Sequence, residues 1–156
     1  MSYTVFLSHS IKDAAWASWV KSRANDVGIE VYLFEHDPQP GNYIAEKVQQ
    51  AIRASDAVMV LLTKHSEASS YVQQEIGFAQ AALKPVVPLV WPGVQGKSLA
   101  MLEGKEYVPF DPDKAGVALP PVLAYLSKLK SQKELGAAIF VLASLVLAAF
   151  ALSGKK

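Results

Sequence analysis

The sequence predicts a doubly wound α/β domain with one apolar helix appended at its C-terminal end. Short β-rich apolar runs alternate with amphipathic helical stretches from residue 3 to residue 130. One run, AVMVLL at 57–62, is apolar without interruption, as central parallel strands covered on both faces are. Residues 135–154, LGAAIFVLASLVLAAFALSG, carry no charge. Regular β-α alternation argues for a parallel sheet with right-handed crossovers.

Residues 3–7 (YTVFL) form the first strand, and the polar SHSIKD after them is a loop. From 14 to 27 the spacing of Ala15, Trp16, Trp19, Val20 and Arg23 marks a helix, with both tryptophans assigned to the core, and Gly28 stops it. The second strand, 30–34 (EVYLF), leads into EHDPQPGN, whose prolines and glycine forbid regular structure. Ile44, Val48, Ala51 and Ile52 share one side of a helix over 43–54. The apolar strand 57–62 follows, then a loop over 63–70 and a helix that Ser70 and Gln73 begin as a capping box. PVVPLVW at 85–91 is the fourth strand, 106–110 the fifth, and 119–130 the last helix of the domain.

With 156 residues, the chain holds one domain of ordinary size plus an appendage. Fifteen Lys and Arg balance fourteen Asp and Glu, so the charge carries no footprint for nucleic acid. The absence of Cys excludes a disulfide framework, a thiol nucleophile and Cys-ligated zinc, and suits a reducing cytosol. MSYTVFLSHS has no basic region followed by an apolar run, so no signal peptide is expected. Residues 135–154 have the length needed to cross a bilayer core and no polar face. The expected organisation is a domain over 1–130, a linker over 131–134 and a transmembrane helix over 135–154. Lys128, Lys130 and Lys133 precede the span and Lys155 and Lys156 follow it, a bias that puts the domain on the cytoplasmic side of a single-pass anchor. Ala137, Ser144, Ala148 and Ala151 share a helical face on which two spans can pack.

In a doubly wound sheet the functional crevice lies at the carboxyl ends of the strands, which selects the loops 8–13, 35–42, 63–70 and 92–102. No G-x-G-x-x-G, no phosphate loop and no G-x-S-x-G elbow occurs. SHS after the first strand replaces the acidic cluster that a phospho-receiver domain needs. His9, His36 and His65 lie in loops on the crevice side, but none is paired at ligand spacing, so no metal site is expected. One carboxylate stands out. In SSYVQQEIGFAQAAL, residues 69–83, Glu75 falls inside the apolar arc, with Tyr71, Phe78 and Ala82 to one side and Val72, Ile76, Ala79 and Leu83 to the other. Gln73, Gly77 and Gln80 supply a polar face that a solvated glutamate would have used. Two readings stay open: a rim glutamate reaching water past small neighbours, or a functional carboxylate.

Four segments in register, VFLSHSIKD, GIEVYLFEHDPQPGNYIAEKVQQAIRASDAVMVLLT, SSYVQQEIGFAQ and KPVVPLVW, resemble a TIR domain over about residues 2 to 130. The resemblance implies a flavodoxin-like, five-stranded parallel sheet. Some TIR domains cleave NAD+ at the nicotinamide bond to give ADP-ribose or cyclic variants, while others are scaffolds that only bind further TIR domains. The enzymes carry a glutamate in the third helix, in a pattern close to [WC]-x-x-x-E. Tyr71-Val72-Gln73-Gln74-Glu75 matches it with Tyr in the first place, so the resemblance implies Glu75 as the catalytic residue.

It also implies that the loop after the first strand lines the pocket through Ser8, His9 and Ser10, and that Tyr71 and Phe78 wall the carboxylate. The amides around 10–13 would meet the diphosphate. The loop 37–43, with Asp37 and Gly41, would take part in assembly and in gating the site. By residue type alone, helix capping explains Ser8, Ser10 and Asp13, a structural loop role explains His9, and turn formation explains Asp37 and Gly41. The implied function is NAD+ hydrolysis or cyclisation in membrane-tethered defence or stress signalling, switched on by self-association. NAD+ is then the substrate and no cofactor is expected; the partners are other TIR domains and the membrane, not nucleic acid. The alternatives are a non-enzymatic scaffold and a span that itself permeabilises the bilayer, against which stands the absence of polar residues along one of its faces.

Overall fold

The computed structural model describes residues 2–34, 44–94, 102 and 106–153. Along the chain these form β1 (Thr4–Ser8), α1 (Ala14–Asp26), β2 (Glu30–Tyr32), α2 (Ile44–Ala54), β3 (Ala57–Leu62), α3 (Lys64–Glu67), α4 (Ser70–Ala81), β4 (Val86–Val90), β5 (Val108–Pro109) and α5 (Ala115–Ser153). Single 3-10 turns, Ile11–Asp13 and Pro112–Lys114, lead into α1 and α5. The strands pair in parallel in the order β2-β1-β3-β4-β5, so the five-stranded doubly wound sheet expected from the sequence is the one observed.

All six residues of β3 are buried, because the strand is central in the order and covered on both faces. Its side chains alternate between two cores. Ala57, Met59 and Leu61 join Val5 and Leu7 of β1, Val20 of α1 and Leu119, Val122 and Leu126 of α5; Val58, Val60 and Leu62 join Phe6, Val48 and Ile52 of α2, and Val72 and Ile76 of α4. Trp16 and Trp19 are partly buried, and Trp16 meets Trp91 and Phe110 edge-on with ring centroids 5.7 and 6.1 Å apart. Pro88 is tolerated inside a buried strand for a geometric reason. The Trp91 amide donates to Leu62 of β3 and the Phe110 amide to the Val90 carbonyl, so even-numbered positions of β4 face β5. That strand begins only opposite Leu89, and no ladder partner awaits the missing N–H of Pro88.

Several elements differ from the sequence expectation: β1 is shifted by one residue, β2 ends at Tyr32 instead of 34, and β5 is two residues long instead of spanning 106–110. Residues 64–67 form a short helix where a loop was expected, capped by the Thr63 side chain, which accepts from the amides of His65 and Ser66. The cap of α4 is Ser69, accepting from the Val72 amide, and not Ser70. The last helix begins at Ala115 instead of 119 and carries Pro120 and Pro121 in its second turn, then runs without interruption through 131–134 to Ser153. Beyond residue 134 its apolar side chains are exposed, and it is long and apolar enough to cross a membrane.

The ends of α1 and α4 share one geometry with different residues. After α1, Gly28 (φ +76°) takes the left-handed position, with its amide on the Asn25 carbonyl and that of Ile29 on Ala24. After α4, Leu83 (φ +55°) occupies it, with its amide on Gln80 and that of Lys84 on Ala79. Periodicity assigned Leu83 to the apolar arc, but the turn throws its side chain out, leaving it 90% exposed. A left-handed leucine is strained by contact of its Cβ with the following carbonyl. Leu83→Gly should therefore stabilise the domain by about 0.5–1 kcal/mol net of glycine's extra unfolded-state entropy, read as a higher midpoint in denaturant titration.

Candidate functional site

β1 delivers Ser8 to the carboxyl end of the sheet, and α4 lays its second turn over the same end. Ser8 is 1% exposed and Glu75 4% exposed. The Ser8 hydroxyl donates to Glu75 Oε2, joining residues 67 apart in sequence. Glu75 is thus the buried carboxyl of the apolar arc, not a rim residue reaching water. Burial pushes its pKa up from 4.5 to about 7, against the Ser8 hydrogen bond, which favours the charged form and pulls the other way. Ser8→Ala removes that donor, so Glu75 should ionise at still higher pH; titration of the carboxyl infrared band, with Glu75→Gln as the blank, measures the shift.

Around the carboxyl, Tyr71, Gln74 and Phe78 of α4 and Ile44, Ala45 and Val48 of α2 enclose a cleft of about 30 Å³. Phe78 is partly buried and Tyr71 is 49% exposed, so both stand at the cleft with the phenylalanine the more enclosed wall. The cleft has room for a water molecule or two, far below the few hundred Å³ of an ordinary ligand site. A groove of about 540 Å³ between α1 and α5, walled by Trp19, Leu119 and Leu123, contains none of these residues.

His9 and Ser10 do not line the cleft at Glu75. His9 is partly buried and its Nδ1 donates to the Leu7 carbonyl at 3.1 Å, a contact that fixes the ring beside its own strand. Ser10 caps the 3-10 turn by accepting from the Lys12 amide at 3.3 Å, and the Asp13 amide donates to the Ser10 carbonyl at 2.8 Å. Two of the amides expected to meet a diphosphate are thus engaged within the turn. Asp37 and Gly41 lie outside the described residues.

A second polar cluster escaped the sequence reading. Asp13 is 3% exposed and makes no capping bond with its side chain; instead its Oδ2 accepts from the Thr63 hydroxyl at 2.6 Å. Thr63 and Ser66 in turn satisfy each other's backbone, ordering the loop after β3 against the loop after β1. The T-x-x-S spacing of 63–66 was the available signal, a capping box with serine in place of glutamate. The link to Asp13 across fifty residues had none.

The family model described as TIR domain matches residues 5–119. Among solved structures, the chain is similar to the TIR domain of the Toll-related receptor TRR-2 from Hydra magnipapillata, with a TM-score of 0.65 and 17% identity over 81% of this chain and 99% of that one. It is similar to the Clostridium botulinum CMP N-glycosidase BcmB, with a TM-score of 0.54 and 18% identity over 81% and 98%. It is also similar to the TIR domains of the activated Roq1 resistosome that recognises the pathogen effector XopQ, with a TM-score of 0.51 and 16% identity over 81% and 84%. At these identities the three show a common fold. No sequence relative is found among curated proteins.

Proposed function

This chain belongs to the TIR domain family, and from that premise we propose that it is an NAD+ nucleosidase acting through Glu75. The observation that carries the reading is the Glu75 carboxyl itself, buried on α4 at the carboxyl end of the sheet with Ser8 on one oxygen, at the glutamate of the Y-x-x-x-E match to the family's enzymes. Nicotinamide is bonded to the ribose through a cationic nitrogen. When the C–N bond breaks, its electron pair neutralises that nitrogen and the base departs uncharged, so no general acid is required. The ribose carbon is left with oxocarbenium character. A carboxylate beside it stabilises the charge and then accepts a proton from the attacking water, giving ADP-ribose and H+; attack from within the ADP-ribosyl group gives a cyclic product instead. Exclusion of water strengthens the carboxylate's effect. Ser8 acts as a positioning residue, holding Oε2 and with it the plane of the carboxyl. The same fold serves N-glycoside cleavage in BcmB, which supports this chemistry here without fixing the substrate.

The 30 Å³ cleft does not seat a dinucleotide. NAD+ binding on this reading draws on further groups: residues 37–43, which the resemblance to the family implicates in gating, and a second copy of the domain. Activity then depends on self-association. We read the apolar part of α5 as a single-pass membrane anchor with the domain on the cytoplasmic side, a geometry that raises the local concentration of copies, and the pathway as defence or stress signalling. The scaffold reading draws on the same small cleft, since a TIR domain that only binds partners needs none. Nicotinamide release by the full chain, dilute in detergent and clustered on vesicles, decides between them. Turnover on clustering that Glu75→Gln abolishes is the expected result; no turnover in either state assigns the chain to the scaffolds.

A further inference from the structure

The domain and the apolar helix meet without a flexible joint. α5 begins at the carboxyl end of the sheet, packs Ala115, Leu119, Val122, Leu123 and Leu126 into the core, and descends to the opposite end, where the strands start. There two lysines fasten it. Lys130 Nζ donates to the Gly28 carbonyl at 3.0 Å, just past α1. Lys133 Nζ lies 2.8 Å from Asp56 Oδ1, donates to the Ser2 carbonyl at 3.3 Å and stands 6.0 Å from the centroid of the Tyr3 ring. Asp56 is held in place by the Thr4 amide, which donates to its other oxygen at 2.9 Å. Residues 131–134 are helical, and the uncharged run begins at Leu135.

These contacts set the height of the domain. A helix advances 1.5 Å per residue, so Leu135 lies about 3 Å along the axis beyond Lys133 and about 8 Å beyond Lys130. The headgroup layer on each side of the hydrocarbon core is roughly 5–8 Å thick. With the apolar run in the hydrocarbon, the amino-terminal end of the sheet falls within the headgroups instead of in water above them.

That end of the domain carries a feature the fold itself does not need. In a parallel α/β layer the helices end where the strands begin, so the turns after α1, α2 and α4 all face the same way. The turn after α4 projects Leu83, 90% exposed, from the strained left-handed position that glycine occupies after α1. Lys84 follows it directly. Val27, at the end of α1, is 49% exposed, and Arg53 is exposed in the last turn of α2. The acids at this end are Asp26, 3.9 Å from Arg23, Asp56, paired with Lys133, Glu30 at the edge strand, and Glu134, exposed on α5 between Lys133 and the start of the apolar run.

We propose that this base is a lipid-contact surface, with Leu83 and Val27 seated among the headgroups and Lys84 and Arg53 at phosphate level. The proposal rests on the reading of α5 as a membrane span. It adds that the domain is docked on the bilayer in one orientation, with Glu75 at the end facing away from it. A free domain on a tether would gain nothing from a strained, water-exposed leucine; a base pressed against lipid gives that side chain an apolar neighbour.

The chain has no cysteine, so single labels report one site each. Leu83→Cys, Leu145→Cys and Ile11→Cys, each made in the full chain, carry a nitroxide into vesicles of phosphatidylcholine with phosphatidylglycerol. Collision with oxygen, which partitions into lipid, is compared with collision with a water-soluble nickel chelate, a ratio in which local crowding cancels. Ile11, 66% exposed beyond the end of β1, is the reference for water. The expected ratio at 83 exceeds that at 11 by roughly fivefold or more, as for side chains seated in the interface, and 145 reads as hydrocarbon. Equal ratios at 83 and 11, with 145 in hydrocarbon, would overturn the docked base and leave the span standing. A watery 145 would overturn the span and the base with it.

Discussion

Glu75→Gln is expected to lower nicotinamide release from NAD+ by at least about a hundredfold in the clustered full chain, the scale seen when one charge-stabilising group is removed from a preorganised site. The amide keeps the volume and still accepts from Ser8, so only the negative charge is lost. Since the loss is of an interaction strongest in the transition state, it should fall on kcat and kcat/KM together, with the KM for NAD+ little changed. The native protein should show the complementary pH profile. The carboxylate is the working form, and burial holds its pKa near 7. Activity should rise tenfold per pH unit below 7 and level off above it. Steady-state rates from pH 5 to 9 test both points. A Glu75→Gln protein with the native rate, or a native profile flat through pH 7, would remove Glu75 from the chemistry.

How much of this was legible in the sequence depended on the range of the interactions involved. The uninterrupted AVMVLL gave β3 with its observed bounds, since burial on both faces leaves a local composition signal. The position of Glu75 in an apolar arc singled it out, because helical periodicity is also local, but did not decide between a rim residue and the buried carboxyl observed. Ser8 as its hydrogen-bond donor was not legible, and neither was Thr63 as the partner of Asp13. Those pairs join segments 67 and 50 residues apart, and nothing in either segment marks the other. The misplaced boundaries have a different origin. Ser69 and Ser70 are equally good caps by residue type, and the entry of the chain from α3 selects between them. Leu83 continues the apolar spacing of α4, yet the chain must turn there to enter β4, and the turn overrides the side chain's preference. The last helix was expected from 119, but the turn at Pro112–Lys114 starts it at Ala115, with Pro120 and Pro121 inside its second turn.

The burial of Glu75 carries an energetic signature separable from catalysis. In the unfolded chain its carboxyl ionises near the ordinary value of 4.5, and in the folded domain near 7. Between those values the unfolded state has released the proton and the folded state still holds it, so rising pH favours unfolding. The stabilising difference is fully present below about pH 4.5, is lost through pH 7, and changes no further above it. A shift of this size corresponds to a loss on the order of 3 kcal/mol, or roughly 10 °C in Tm for a domain of this length. Tyr3, pushed up to about 12 by burial and by the nearby Asp56 charge, titrates outside this window. Glu75→Gln cannot ionise and should lack the slope: matched to the native protein near pH 4.5, more stable by on the order of 3 kcal/mol at pH 8. Thermal melts of the two proteins in nanodiscs across that range measure the difference, and parallel slopes would show that the carboxyl is solvated instead of buried. A scaffold gains nothing from a buried charge that lowers its stability at neutral pH. An enzyme that needs an ionised carboxylate in a dry site has to carry that cost, so a variant both more stable and inactive is the pairing that distinguishes a working residue from a structural one.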